Sequence, residues 1–370
     1  MTVRRNNDII LSSQLTLILA GTMIGVGVLS LPRGVTEMAG PDGWILLIVS
    51  SIVALIIGLV IAAVGKKHPD KNYVEMVSWM LSKPIGILIS IGFVIYFLIF
   101  AAVEIRVFGE VTKQYLLINT PFEILALTLL FSTVYLVRSG VECIARMAQI
   151  ILPITLIISI IIILPVIHEL NMSHLLPIMR TPVLKIVKSI PITFFSFQGF
   201  EMILVFSVFV KDTQKISRST AVSIGITTAY YLLFVIIVVA RFGIIETTHI
   251  VWPVLEIFKT VDIPGAFVEN IDAFIMSIWI LSVFLTLAVI YYGAAVIMSW
   301  IIKSKEYNYF VLPLLPIILL LSMIPDNVAQ ASKFLDIFSL YVGTFYVVIL
   351  PILLLIISFF KKEKGVKRSG

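Results

Sequence analysis

The stretch Ala20-Gly21-Thr22-Met23-Ile24-Gly25-Val26-Gly27 decides how this chain folds. It interrupts a run of apolar residues that otherwise extends from Ser13 to Leu31. Three glycines within seven residues, with Pro32 close behind, weaken a helix because glycine is flexible and proline lacks an amide hydrogen. Each unpaired backbone group in lipid costs several kcal/mol, so an irregular stretch at membrane depth has to line a cavity enclosed by protein. The sequence therefore predicts a membrane-spanning helix that is unwound near its middle.

A second interruption lies about half a chain later, at Phe195-Ser196-Phe197-Gln198-Gly199-Phe200-Glu201. Paired interruptions at corresponding positions of two halves are typical of transporter-like proteins, whose substrate site lies near the bilayer midplane. We take the two interruptions together as the predicted functional centre.

The composition is that of an all-α, polytopic membrane protein. Apolar residues make up 60% of the chain and charged residues only 13%, whereas a soluble domain carries about 25% charge. Cys143 is the only cysteine and the four histidines form no close pair, so we expect no metal site and no cofactor. The chain also lacks a P-loop lysine motif and a nucleophile elbow, which argues against an enzyme. The net charge of +6 comes from basic residues near the membrane edges and does not indicate nucleic acid.

Apolar runs predict ten transmembrane helices. We place these spans near 13–36, 43–65, 85–116, 121–137, 143–167, 184–210, 219–242, 269–302, 308–324 and 333–360. With this topology 18 of the 27 Lys and Arg residues fall on one side and 8 on the other, and Arg106 lies within a span. The positive-inside rule then puts both termini in the cytoplasm.

Residues 1–370 are predicted to form a single transmembrane domain with short cytoplasmic tails. Its first repeat covers about 13–167 and its second about 184–360, and because five spans is an odd number the two copies are inverted. Met1 to Leu11 is interpreted as a retained cytoplasmic segment, because no small-residue cleavage site follows it. The basic C-terminal tail is expected to touch anionic lipid.

Two connections are predicted to have structure of their own. Asn72 to Leu81 has apolar residues at helical spacing and is expected to lie along the cytoplasmic face. The segment from Ile244 to Phe267 either forms a short external helix over the cavity mouth or is a packed loop without a gating role.

Three motifs resemble a known family. The glycine-rich break ending in Leu29-Ser30-Leu31-Pro32, the RSGVECIAR stretch from Arg138 to Arg146, and the Phe-Gln-Gly-Phe-Glu break are similar to the B subunits of endospore nutrient-germinant receptors. These subunits belong to the amino acid–polyamine–organocation transporter superfamily, and the resemblance covers essentially the whole chain.

The resemblance implies a LeuT-type fold, a 5+5 inverted repeat in which helices 1 and 6 are discontinuous at a small-molecule site. It also implies a sensor of amino acids or similar nutrients. Such a sensor works with A and C subunits in the inner membrane of a bacterial spore.

In the first break, free amides lie at the start of the second half-helix, where the helix dipole is positive. The N–H groups of Gly25, Val26 and Gly27 are predicted to hold a ligand carboxylate. Free carbonyls near Ala20, Gly21 and Thr22 are predicted to accept from a ligand ammonium. The alternative is helix packing, because Gly21-x-x-x-Gly25 is also a helix-association motif.

Further candidates come from spans 3, 6 and 8, which the resemblance places around the site. In span 6, Ser196, Gln198 and Gly199 are predicted to face the cavity, with Phe197 as an apolar wall. The other candidates are Glu201, Tyr96, Phe97, Phe100 and Thr286. Glu201 either binds a ligand ammonium or pairs with a buried arginine. The three aromatic residues either select the ligand side chain or belong to the core, and Thr286 either donates to the ligand or bonds the backbone.

Three charged residues are assigned structural or coupling roles: Glu104, Glu142 and Arg146. Glu104 and Arg106 lie two residues apart on a helix and are not expected to pair. Some relatives in the superfamily carry a proton-releasing lysine on span 5, and Arg146 is a candidate for that position. An arginine there keeps its charge, which favours a receptor over a proton-coupled pump. The alternative is a salt bridge between Arg146 and Glu142 at i, i+4 spacing.

Two functions follow. The first is a nutrient-sensing receptor subunit that binds a small molecule at the breaks and signals to partner subunits. The second is an amino acid permease of the same fold. A membrane enzyme or channel is disfavoured, because no catalytic cluster or polar-lined pore is apparent.

Overall fold

The structure is a computed structural model that describes residues 9–259 and 271–361. This part of the chain is helical, and its extended residues Ile10 and Val210 form one isolated β-bridge. The helices of the first half are α1 (Ser12–Met23), α2 (Gly27–Ala39), α3 (Gly43–Lys67), α4 (Tyr73–Met80), α5 (Lys83–Tyr115), α6 (Phe122–Arg138) and α7 (Val141–Ile163). Those of the second half are α8 (Val183–Phe194), α9 (Ile203–Phe206), α10 (Ile216–His249), α11 (Pro253–Lys259), α12 (Ile271–Ile302), α13 (Asn308–Ser322), α14 (Val328–Phe338) and α15 (Leu350–Phe360).

The first predicted break separates α1 from α2. The helix ends at Met23, and Ile24 leaves the helical region with φ −88° and ψ 66°. A new helix begins at Gly27 and contains Pro32 as its sixth residue, where the proline removes one hydrogen bond from the helix. The chain between the two helices is only three residues long, so the interruption is local and both half-helices continue through the bundle.

The second predicted break follows α8. Two short 3-10 turns, Phe195–Phe197 and Phe200–Met202, flank Gln198 and Gly199. Gly199 has φ +123°, a conformation that residues with a side chain rarely adopt. The helical segments on the two sides of this break, Val183–Phe197 and Phe200–Phe209, are bent by 56°.

Six of the described helical segments are long and apolar enough to cross a membrane. The count becomes seven if the bent pair around Gly199 is one span. Each of the ten predicted spans coincides with one or two described helices. Some of these helices, such as α6 with 17 residues and α13 with 15, are shorter than the about 20 residues that cross a bilayer. The ten-span count, the inverted 5+5 repeat and the single-domain boundaries therefore stay predictions.

Helix α1 lies at the centre of the bundle. It packs against α7, α10 and α12, and its side chains from Ile18 to Met23 are buried. Helix α12 packs closely on α5, and α10 packs on α3. The first break is contacted by residues of α5, α10 and α12, namely Glu104, Tyr231 and Thr286.

The predicted connections are partly described. The helix predicted at Asn72–Leu81 is α4, which begins with a capping box between Asn72 and Glu75. Its apolar side chains are buried, mainly against α5. Within Ile244 to Phe267 the structure has the end of α10, kinked at Gly243, and the short helix α11. Residues 260–267 of that segment lie outside the described residues, as do most of both predicted tails.

Candidate ligand-binding site

The two breaks lie against each other at Gly199. A Cβ atom added to Gly199 would lie 2.9 Å from Cγ2 of Thr22 and 3.1 Å from the backbone nitrogen of Met23. Glycine is needed here both for its positive φ and because the backbone of α1 leaves no room for a side chain. The structure thus brings together the two stretches that the sequence analysis paired.

Tyr231 of α10 joins the two breaks. Its hydroxyl group lies 2.5 Å from the carbonyl oxygen of Met23 and 3.0 Å from the carbonyl oxygen of Ser196. The ring is fully buried and packs on Phe197, with 5.5 Å between ring centroids. The single hydrogen of this hydroxyl group is therefore shared between two acceptors, one carbonyl group from each interrupted helix.

Thr286 of α12 bonds the end of α1. Its hydroxyl group lies 3.1 Å from the carbonyl oxygen of Gly21 and 3.3 Å from that of Thr22. Of the two interpretations of Thr286, the backbone bond is the one seen in this structure. The carbonyl groups predicted to accept from a ligand ammonium are thus partly engaged by the protein itself.

Glu104 of α5 lies beside the start of α2. Its side chain is buried, and the Val26 amide is directed at its carboxyl group. A Cβ atom on Gly25 would lie 2.9 Å from Oε1 of Glu104 and 3.0 Å from Oγ1 of Thr286. The carboxyl group therefore lies where the sequence analysis placed a ligand carboxylate, at the amides that open the second half-helix. Its other oxygen, Oε2, has no hydrogen-bond partner among the described residues.

A hydrogen-bonded network organises the second break. The carboxylate of Glu201 accepts from the Tyr96 hydroxyl at 2.8 Å and from the Gly199 amide at 2.7 Å. Gln198 donates to the Tyr96 oxygen at 2.9 Å and accepts from Ser339 at 3.1 Å. Glu201 thus holds the backbone of its own break, and its partners among the described residues, Tyr96 and Gly199, do not include an arginine.

The remaining aromatic candidates are packed in the core. Phe97, Phe100 and Phe197 are buried, and the ring centroids of Phe97 and Phe93 are 4.3 Å apart.

Among the glycines of the first break, Gly21 is in tight contact with an apolar side chain, because an added Cβ would lie 2.5 Å from Cδ2 of Leu285. Gly21 thus makes the close helix contact expected of a packing motif, whereas Gly25 faces polar atoms.

The charged candidate Arg146 lies away from the breaks. It forms an ion pair with Glu142 at 2.5 Å, and its side chain is 69% exposed. The charge therefore does not reach the first break, and the argument against proton coupling that rested on it has no structural basis. Arg106 pairs with Glu110 at 2.6 Å and donates to the Asp326 carbonyl at 2.6 Å, so it does not face Glu104.

A small cleft with a volume of about 30 Å³ lies beside the first break. It is on the side of α7, α10, α11 and α12, and it does not involve Tyr96 or the second break. The hydroxyl pairs Thr155–Ser282 and Ser159–Tyr230 line one wall. Ile24, the residue at which α1 ends, reaches this cleft.

Sequence reasoning missed Tyr231 and Ser339. The signal for Tyr231 was present, since a tyrosine within an apolar span needs a hydrogen-bond partner for its hydroxyl group. Nothing in the spacing connects Ser339 to Gln198, because they are 141 residues apart.

Among the described residues, no group of three His, Cys, Asp or Glu side chains could hold a metal ion.

Comparison with known proteins identifies the family. The family profile described as "Spore germination protein" matches residues 9–331, most of the chain. The chain belongs to the spore germination protein family. This family member is 31% identical to spore germination protein YndE of Bacillus subtilis (strain 168), over 96% of this chain and 97% of that protein.

Other relatives of this germination protein match over similar lengths. It is 26% identical to spore germination protein B2 of Bacillus subtilis (strain 168), over 98% of this chain and 99% of that protein. It is 27% identical to spore germination protein GerLB of Bacillus cereus, over 96% and 95%. The family resemblance stated from the sequence motifs is confirmed.

Replacing Tyr231 by phenylalanine should destabilise the protein. The change leaves the buried carbonyl groups of Met23 and Ser196 without this donor, and an unsatisfied buried polar group costs about 1–3 kcal/mol. We expect a lower midpoint of thermal unfolding for the purified protein in detergent, measured by intrinsic fluorescence.

The control is Tyr135→Phe, because Tyr135 is 80% exposed. Its unfolding midpoint should match that of the unsubstituted protein. A Tyr231→Phe protein as stable as this control would show that the hydroxyl group does not hold the two breaks together.

Proposed function

We propose that this protein is the nutrient-sensing B subunit of a spore germinant receptor and that its ligand binds at the two facing breaks. The ligand is an amino acid or a similar small molecule. The single observation that carries the proposal is the meeting of two interrupted helices whose carbonyl groups are bonded by Thr286 and Tyr231, with the Glu104 carboxyl group beside the amides of the first break. A small charged molecule can replace the two hydroxyl groups as partner of the same backbone groups.

The family and the printed names of the relatives support this assignment, since all three relatives named above are spore germination proteins. We propose the ten-span, 5+5 inverted arrangement as the architecture, because each predicted span coincides with described helices and both interruptions occur where that arrangement has them. Both termini are proposed to be cytoplasmic, from the bias of basic residues. The proposed location is the inner membrane of the spore.

Signalling follows from competition at the breaks. A ligand that displaces the hydroxyl groups of Tyr231 on α10 and Thr286 on α12, and that lies against Glu104 on α5, changes the contacts of three helices at once. Ligand binding then favours one arrangement of the bundle. A and C subunits are the proposed partners that detect the difference, through contacts with the outer helices.

The second candidate function is an amino acid permease of the same fold. It is favoured by the buried glutamates, since carboxyl groups within membrane spans often serve as proton carriers in transporters. The exposed position of Arg146 removes the charge-based argument against such coupling.

Uptake by proteoliposomes distinguishes the two functions. Full-length protein is reconstituted, and a mixture of radiolabelled amino acids is added outside, with or without a proton gradient. A receptor subunit should bind label at a saturable level near one molecule per protein without further accumulation. Accumulation that grows with time and stops when the gradient is dissipated would show a permease instead.

Replacing Gly25 by alanine should weaken the nutrient response. The new methyl group would press on Glu104 and Thr286, at 2.9 Å and 3.0 Å from their oxygens. Overpacking costs about 1–3 kcal/mol, and this corresponds to about 5- to 150-fold in the nutrient concentration needed for half-maximal germination if the cost falls on the bound state. The measurement is the germination rate of spores that carry the variant, over a range of nutrient concentration.

The matched control is Gly34→Ala. A Cβ atom on Gly34 meets nothing within 4 Å, and Gly34 lies in α2 outside the break. The control should respond like the parent, with both variants present at parental levels in the spore membrane. An unchanged nutrient requirement in the Gly25→Ala spores would remove the first break from the site.

A further inference from the structure

Two buried carboxyl groups flank the breaks, and they differ in their partners. Both oxygens of Glu201 are engaged, Oε1 by the Tyr96 hydroxyl and Oε2 by the Gly199 amide. Glu104 is 3% exposed, yet its Oε2 has no hydrogen-bond partner within the described part of the chain. A buried polar atom without a partner is rare in folded proteins and calls for an explanation.

The free oxygen belongs to a carboxyl group at the centre of the proposed site. Oε1 of Glu104 lies next to Gly25, and the Val26 amide is directed at the same carboxyl group. The backbone here has no side chain between the carboxyl group and a ligand, because both neighbours of Val26 are glycines. Glu104 is thus positioned at the opening of α2, where a ligand bound to the backbone would meet it.

The described protein offers no cation to this carboxyl group. The nearest basic residue along the helix, Arg106, is bonded to Glu110 and to the Asp326 carbonyl. None of the ion pairs between described residues includes Glu104. A charge removed from water is costly unless an opposite charge accompanies it. A cation brought by the ligand would supply that charge.

We infer that Glu104 accepts the ammonium group of the ligand, and that Glu201 has a positioning role at the second break. The inference rests on the proposed function, because it assumes that the ligand binds at the breaks. It makes Glu104 the residue that distinguishes an amino acid from an uncharged analogue of the same shape. The ammonium and carboxylate of an α-amino acid are attached to the same carbon, so one group can reach Glu104 while the other meets the adjacent amides of α2.

The inference predicts strong discrimination between an amino acid and its 2-hydroxy analogue. The two molecules have nearly the same size and the same carboxylate, but the hydroxy acid has no positive charge. Loss of a charged partner from a buried hydrogen-bonded pair lowers affinity by at least about tenfold. The preference for the amino acid should disappear when Glu104 is replaced by glutamine, which has the same shape and no charge.

The experiment measures dissociation constants by calorimetry with full-length protein in lipid nanodiscs. The probes are the twenty protein L-amino acids and, for each one that binds, the L-2-hydroxy acid with the same side chain. The proteins are the parent, Glu104→Gln, Gly25→Ala and the control Glu142→Gln, which removes a partly exposed glutamate away from the breaks.

The expected result is a ratio of hydroxy-acid to amino-acid dissociation constants of at least about ten in the parent and in Glu142→Gln. In Glu104→Gln the ratio should fall to within about twofold of unity. A structural defect alone would weaken both ligands and leave the ratio unchanged, and that outcome overturns the inference. Equal binding of both ligands by the parent overturns it too, even if Glu104→Gln does not fold.

The failure of the inference differs from that of the proposed function. If amino acids bind and Gly25→Ala weakens them, but Glu104→Gln keeps the parental ratio, only the role of Glu104 is lost. If none of the amino acids binds the parent, the proposed function as an amino acid sensor fails and the inference fails with it.

Discussion

An interrupted helix inside a membrane has to find partners for the backbone groups that its own turns no longer bond. In this protein the constraint applies twice, at Ile24–Val26 and at Gln198–Gly199. The two breaks meet it together, because the Tyr231 hydroxyl group reaches a carbonyl from each. The rest of the bundle is arranged so that α5, α10 and α12 bring the required side chains to one place.

The two breaks meet the constraint by different means, and the difference suggests different roles. The second break is held by its own Glu201 and Gln198 with help from Tyr96 and Ser339, all of them bonded. The first break depends on side chains from distant helices, and one of these, Glu104, keeps an unbonded oxygen. A fully bonded network favours a rigid support. The first break is therefore the better place for a ligand to enter and for a change in contacts to begin.

The amino-acid pattern predicted the helical fold and the positions of both breaks, because glycine-rich interruptions are local features. Their approach to each other was predicted from the pairing of such interruptions in transporter-like proteins. It did not predict which side chains bond the breaks. Tyr231 and Ser339 come from far along the chain, and their contacts depend on how the helices rotate. Arg146 shows the same limit, since its spacing to Glu142 allowed an ion pair and its exposure could be read only from the packed bundle. The family was recognisable from three short motifs because two of them form the breaks themselves.

Hydrogen–deuterium exchange with and without a bound amino acid tests the central claim most directly. The account predicts that the ligand slows exchange in peptides covering residues 19–29 and 194–203 together, since it bonds the backbone of both breaks and excludes water from them. Residues 253–259, which line the separate cleft beside α11, should exchange at the same rate in both states. Protection confined to 253–259, or absent from either break, would contradict the account.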